Sequence, residues 1–297
     1  MRFAAWMVLL ATLALWSGNW IVGRAVREDV APGFATVCRQ LIVLAILLPF
    51  TFASLKRKFR GLTRADWRIL AGLGFAGGGI HLGLQWLGLH YTTATSAVLY
   101  LSTAPIFVLL MAAAVLTERI GLAQWTGVAI SFAGVAAIAA QGDPARLATL
   151  SFNRGDLMAL ASMAMWGAYT VLLRLRRDAL EVPELIVVVC GFGFLFMLPW
   201  LALEAGPFRL SAPAAAAIAY SAIASMLLAY AGWSYAVSRI GAVRAGATMH
   251  LMPAMGVALA ALFLGEYPRW FHFAGVALIL GGVALSSLRA SSASSSR

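Results

Sequence analysis

Charge is scarce in this chain. Asp, Glu, Lys and Arg together make up 11% of its 297 residues, where soluble domains carry about a quarter, so a surface that faces mostly water is excluded. Cysteine is scarcer still. Cys38 and Cys190 lie in separate apolar runs with no CxxC or zinc-ligand spacing, which points to packing and away from a metal site or redox pair. No Asp or Glu falls in the middle of any long apolar stretch, so a buried carboxylate relay is not expected. A P-loop for ATP hydrolysis is missing, as is any Cys, His, Asp and Ser set at workable spacing for catalysis. The chain reads as a non-enzyme that needs no cofactor and no metal.

What is present is apolar length. Hydrophobic residues account for 62% of the chain, and ten runs approach the roughly 20 residues that a helix needs to cross a bilayer core of about 30 Å. They are Phe3 to Val22, Pro32 to Phe52, Trp67 to Leu89, Thr93 to Leu116, Leu122 to Ala140, Asp156 to Arg174, Pro183 to Ala202, Pro213 to Val237, Gly241 to Leu264 and Trp270 to Leu288. Lipid offers the backbone no hydrogen-bond partner, so each run must be a helix. The fold class expected is an all-α integral membrane protein of ten transmembrane helices, in contact with the lipid bilayer and acting as a monomer.

The net charge of +11 is not a nucleic-acid footprint. Basic residues sit in short gaps between apolar runs, densest from Lys56 to Arg68 and from Arg174 to Arg177. With the N-terminus inside, these clusters fall on the cytoplasmic side together with Arg2, Arg119, Arg239, Arg244, Arg289 and Arg297, and outnumber the basic residues opposite. That excess sets both termini in the cytoplasm.

The chain also repeats itself. A shift of 148 residues aligns Ala94 with Ala242, Pro105 with Pro253, Glu118 with Glu266, Gly127 with Gly275 and Gly134 with Gly282, and a shift of 150 aligns Trp16 with Trp166. The organisation expected is a first five-helix repeat over 1–140, a connecting loop over 141–155, a second repeat over 156–288 and a disordered tail over 289–297. Five spans is an odd number, so the second half enters the membrane from the opposite side and the two repeats are inverted. Secondary transporters use such halves to alternate access around one central site.

Several polar and aromatic residues fall at mid-depth and are candidates to bind a substrate there. Pro105 and Pro253 stand near the middle of their runs, where each would break the helix and leave the carbonyl of Leu101 or Met249 without a helical partner. Tyr100 and His250 lie beside them. His81 and Gln85 share one helix face, and His81 either contacts substrate, carries a proton or makes an interhelical hydrogen bond. Trp16, Asn19, Trp20, Trp166, Tyr169, Tyr230 and Trp233 would line an apolar pocket or simply pack. Arg39, a turn or two from the outer end of its run, either attracts a carboxylate or snorkels.

Trp16-Ser17-Gly18-Asn19-Trp20, Ala104-Pro105 with Glu118, and Pro253 with Gly265-Glu266 resemble the signatures of the drug/metabolite transporter superfamily, in the ten-helix layout of EamA-type exporters. Among these the pattern is most similar to the aromatic amino acid exporters of bacterial inner membranes. The second half departs from the signature, with Tyr169 where Asn19 stands in the first. The resemblance implies a multi-pass protein of the inner membrane that exports a small-molecule substrate, an amino acid or related metabolite, by alternating access. Amphipathic drugs, purines and sugars are the competing cargoes, and a solute channel the competing mechanism.

Overall fold

The computed structural model describes residues 2–26, 28–91, 100, 102–116, 120–149, 153–204, 211–255 and 269–288. Leu101, Glu118, Glu266 and the expected tail lie outside these, as does the side chain of Trp20. Every long element among the described residues is a helix. The first half contains α1 (Arg2–Ala25), α2 (Pro32–Phe59), α3 (Arg64–Leu73), a π segment π1 (Gly74–Ile80), α4 (His81–Tyr91), α5 (Ala104–Val115) and α6 (Leu122–Ala139). A single helical turn α7 (Ala145–Ala148) follows, inside the stretch expected to be loop. The second half contains α8 (Arg154–Leu175), α9 (Val182–Leu203), α10 (Ala212–Tyr220), a π segment π2 (Ser221–Leu228), α11 (Ala229–Ile240), α12 (Ala242–Ala247), a 3-10 turn (Thr248–His250) and α13 (Trp270–Leu288).

Among the described residues, five helical stretches are long and apolar enough to cross a membrane: Pro32–Phe59, Leu122–Ala139, Arg154–Leu175, Val182–Leu203 and Ala212–Ile240. Their starts follow local chemistry. Thr63 accepts from the Asp66 N–H at the head of α3, and Asn153 does the same for Asp156 at the head of α8, each answered by the carboxylate returning to the cap residue. Such reciprocal caps satisfy backbone donors that a helix start leaves orphaned. The outer faces carry bare apolar side chains, among them Phe50 at 85% and Leu203 at 87% exposure, as expected where lipid is the solvent.

Two of the expected helices are not continuous. The run through Pro105 turns at Ser102 and Thr103, and α5 begins only at Ala104, so Pro105 occupies the first helical turn. Proline is tolerated there because the N–H it lacks would have had no partner. The run through Pro253 breaks into α12 and a 3-10 turn, and the Leu251 N–H approaches the carbonyls of Met249 and Thr248.

The two π segments were not foreseen. At the end of π1 the His81 N–H donates to the Ala76 carbonyl, and at the end of π2 the Ala229 N–H donates to the Ala224 carbonyl. These bonds coincide under the 148-residue shift, so the widened turn recurs at the same place in both halves. The most extensively packed helix pair is α6 with α13. A Cβ at Gly127 would lie 2.5 Å from the Gly282 carbonyl oxygen, and one at Gly134 2.6 Å from that of Gly275. The helices thus run antiparallel in backbone contact, which only glycine permits at these positions.

Candidate functional site

Between the halves lies a cavity of about 30 Å³, room for one or two waters. Trp16, Asn19, His81, Leu82 and Gln85 line it from the first half, and Met163, Trp166, Ser225, Tyr230, Met249 and Met252 from the second. Seven of the residues singled out in the sequence meet here: Trp16, Asn19, His81, Gln85, Trp166, Tyr230 and Met249.

The aromatic rings form one continuous cluster. Trp166 is its hub, with ring centroids 4.9 Å from Trp16, 5.0 Å from His81, 5.1 Å from Tyr169, 5.5 Å from Tyr230 and 5.3 Å from Trp233. Its indole N–H points at the Met249 sulfur at 3.0 Å. Trp16 donates to the Ser225 carbonyl at 3.0 Å, inside π2, and Tyr230 donates to the Gly77 carbonyl at 2.7 Å, inside π1. A cavity aromatic therefore bonds into each widened turn, the kind of backbone site where an i→i−4 ladder is opened. Gly77 packs against the face of Tyr169, leaving no room for a Cβ.

His81 is pinned. Its Nδ1 lies 2.9 Å from the Ser162 carbonyl, and the Ser162 hydroxyl donates to the His81 carbonyl at 2.9 Å. In the neutral ring Nδ1 then carries the hydrogen, and Nε2 is left as an acceptor. The pair ties α4 to α8. Asn19 Oδ1 accepts from the Ser221 hydroxyl at 2.6 Å, which ties α1 to π2.

The other expected residues lie elsewhere. Tyr169 and Trp233 are buried one layer behind the cavity wall, at 1% and 0% exposure. His250 is also buried, and its Nε2 meets the Ser102 carbonyl at 2.7 Å, away from the cavity. Tyr100 hydrogen-bonds the side chain of Asp156. Pro105 and Pro253 shape the backbone and do not line the cavity. The sequence reading missed Leu82, Met163, Ser225 and Met252. Leu82 and Ser225 carry no signal beyond an apolar run, although the two methionines suit a wall that must adapt its shape.

Among the described residues the walls hold no Asp, Glu, Lys or Arg, which leaves the site apolar and aromatic with a few fixed polar atoms, as small-molecule pockets are. Among the described residues no three His, Cys, Asp or Glu side chains are placed to share a metal ion. The family model for EamA-like transporters matches residues 2–140 and again 153–288. The chain belongs to the EamA-like transporter family.

Its relatives agree. It is 25% identical over 291 residues to the uncharacterized transporter YetK of Bacillus subtilis, spanning 97% of this chain and 88% of that protein. An uncharacterized transporter of Archaeoglobus fulgidus is 26% identical, spanning 95% of this chain and 97% of its own. A probable terminal-alkyne amino-acid exporter of Streptantibioticus cattleyicolor is 31% identical over 210 residues, or 69% of this chain and 68% of that one. A solved crystal structure superimposes with a TM-score of 0.74 over 97% of this chain and 98% of its own, at 21% identity. That likeness is one of fold.

Proposed function

We propose that this member of the family exports amino acids with aromatic or other apolar side chains by alternating access, through the cavity between its halves. One observation carries the reading: Trp16, Asn19, His81 and Gln85 face Trp166, Tyr230 and Met249 across a single small void. A binding site shared by two halves opens and closes as those halves rock. At about 30 Å³ the void is too small for any amino acid, so this conformation is the closed one and cargo enters after the aromatic cluster parts.

The arrangement behind this is ten spans in two inverted repeats, multi-pass in a bacterial inner membrane, with both termini cytoplasmic. The antiparallel glycine contacts of α6 with α13 and the matched π segments support it. An amino-acid cargo is favoured by the aromatic walls and by what the relative at 31% identity is named for. Counterflow into proteoliposomes, run against labelled amino acids, purines, sugars and amphipathic drugs, tests the cargo. Saturable exchange of apolar amino acids is expected, and a flux that neither saturates nor exchanges refutes the transporter in favour of a channel. Topology is tested by Glu118→Cys and Glu266→Cys in a Cys38→Ser, Cys190→Ala background. Labelling of both from one compartment would refute the inversion.

A further inference from the structure

Arg39 does not snorkel. It lies within α2 at 1% exposure, one of the largest fully buried side chains in the protein. Its guanidinium donates through Nη2 to the Thr36 hydroxyl at 3.2 Å and sits over the Trp86 ring, 5.4 Å from the centroid. Among the described residues no carboxylate pairs with it, and its Nε finds no acceptor. The neighbouring Gln40 donates to the Gly78 carbonyl at 2.5 Å, and its own Oε1 is unpartnered.

A guanidinium keeps its proton in any protein environment. Buried charges are paired because desolvating one alone costs several kcal/mol, more so within a membrane. Among the described residues none supplies the pairing group. The ring of Trp86 offsets part of the cost, and one hydroxyl satisfies one donor, but the charge itself stays unneutralised.

Its position is next to the cavity wall. α2 packs most extensively against α9 and also against π2 and α4; π2 gives the cavity Ser225, and α4 gives it Leu82 and Gln85, the residue directly before Trp86. Gln40 and Tyr230 both donate into π1, at Gly78 and Gly77. A fixed positive charge over Trp86, beside a lining with no Asp, Glu, Lys or Arg among its residues, biases the pocket toward anions.

We infer that Arg39 is the anchor for a carboxylate on the transported solute, its free Nε edge meeting that group once the wall of α4 and π2 parts. The inference rests on the transporter reading and narrows it: the cargo bears a carboxylate, and cationic amphipathic drugs are disfavoured. A guanidinium edge presents two parallel N–H donors to a carboxylate, which an ammonium cannot copy.

The test is binding to the purified full-length protein, read by tryptophan fluorescence, with L-phenylalanine against L-phenylalaninol, which keeps the ring and ammonium and replaces the carboxylate with a hydroxymethyl group. The acid is expected to bind at least about tenfold more tightly, the scale of one charge-assisted contact. Arg39→Gln should abolish that ratio by weakening the acid alone, and Arg39→Lys should restore part of it. Equal binding of acid and alcohol by the unaltered protein, binding of neither, or a ratio that survives Arg39→Gln overturns the assignment. Counterflow separates this from the underlying reading. Exchange of solutes without preference for acids removes the anchor and leaves the transporter, whereas no exchange of any solute removes the transporter.

Discussion

Trp16 and Trp166 meet edge to face, with ring centroids 4.9 Å apart and planes at 86°, and each stands at the other's position when the halves are aligned. Two more such pairs touch: His250 Nε2 with the Ser102 carbonyl, and the Ser131 hydroxyl with the Ile279 carbonyl, both 148 residues apart. A residue can contact its own counterpart only beside an axis that exchanges them. The proposed two-fold therefore passes through the aromatic cluster, and the cavity lies on it.

Trp166→Ala should cost about 3 to 5 kcal/mol, the range for removing a large buried aromatic, and lower counterflow at least about tenfold. Trp166→Phe keeps an aromatic ring in the cluster and loses the indole N–H to Met249 with part of the ring area, so it should retain more activity than Trp166→Ala. Thermal unfolding and proteoliposome counterflow read the two effects. Full transport by Trp166→Ala would remove the cluster from the site.

The side chains of His81 and Ser162 each bond the other residue's backbone carbonyl, both at 2.9 Å, so His81→Ala and Ser162→Ala each remove one of the two bonds. Each variant should lose about 1 kcal/mol or more in detergent unfolding. A variant as stable as the unaltered protein would mean that its bond contributes nothing to joining α4 with α8.

Gly127→Val should lower the unfolding midpoint strongly, because its side chain would be driven into the backbone of α13 at Gly282. Gly281→Val is the control, since nothing lies within 4 Å of a Cβ at that position. If both variants unfold alike, close backbone approach is not what the α6 and α13 pair depends on.

Asp178 caps the turn after α8. Burial alone would raise its carboxyl, but hydrogen bonds and charge from Arg176, with the Leu180 N–H at 3.0 Å, outweigh this and hold it below its ordinary value. A carboxylate depressed on folding contributes stability above its unfolded pKa and loses it as pH falls through the folded one. The midpoint of the wild-type protein should drop on acidification below the usual carboxylate range. In Asp178→Asn that part of the drop should be absent, and an unchanged pH profile would refute the assignment.

Much of the helical layout was legible because lipid leaves the backbone no alternative to helix, so apolar length translated directly into spans. Breaks were harder to read. Pro105 sits in a run that is apolar on both sides, and only the turn at Ser102 and Thr103 tells a helix start from a kink. The cavity was legible through its large residues, since Trp16, Trp166 and Tyr230 differ from their surroundings, but not through Ser225 or Leu82. Arg39 was placed by depth alone, which does not separate a charge reaching outward from one turned in over Trp86.

Each widened turn holds one residue more than the α-helix around it would use. Deleting a single glycine from the run Gly77 to Gly79 would therefore let the turn close to ordinary α-helical winding, with the helix on either side keeping its facing. His81 and Gln85 would still line the void, but the closed ladder would leave no carbonyl over for the Tyr230 hydroxyl, which now donates at Gly77. The surplus amino acid is in that sense a socket, cut into one span to hold a hydroxyl from the other half.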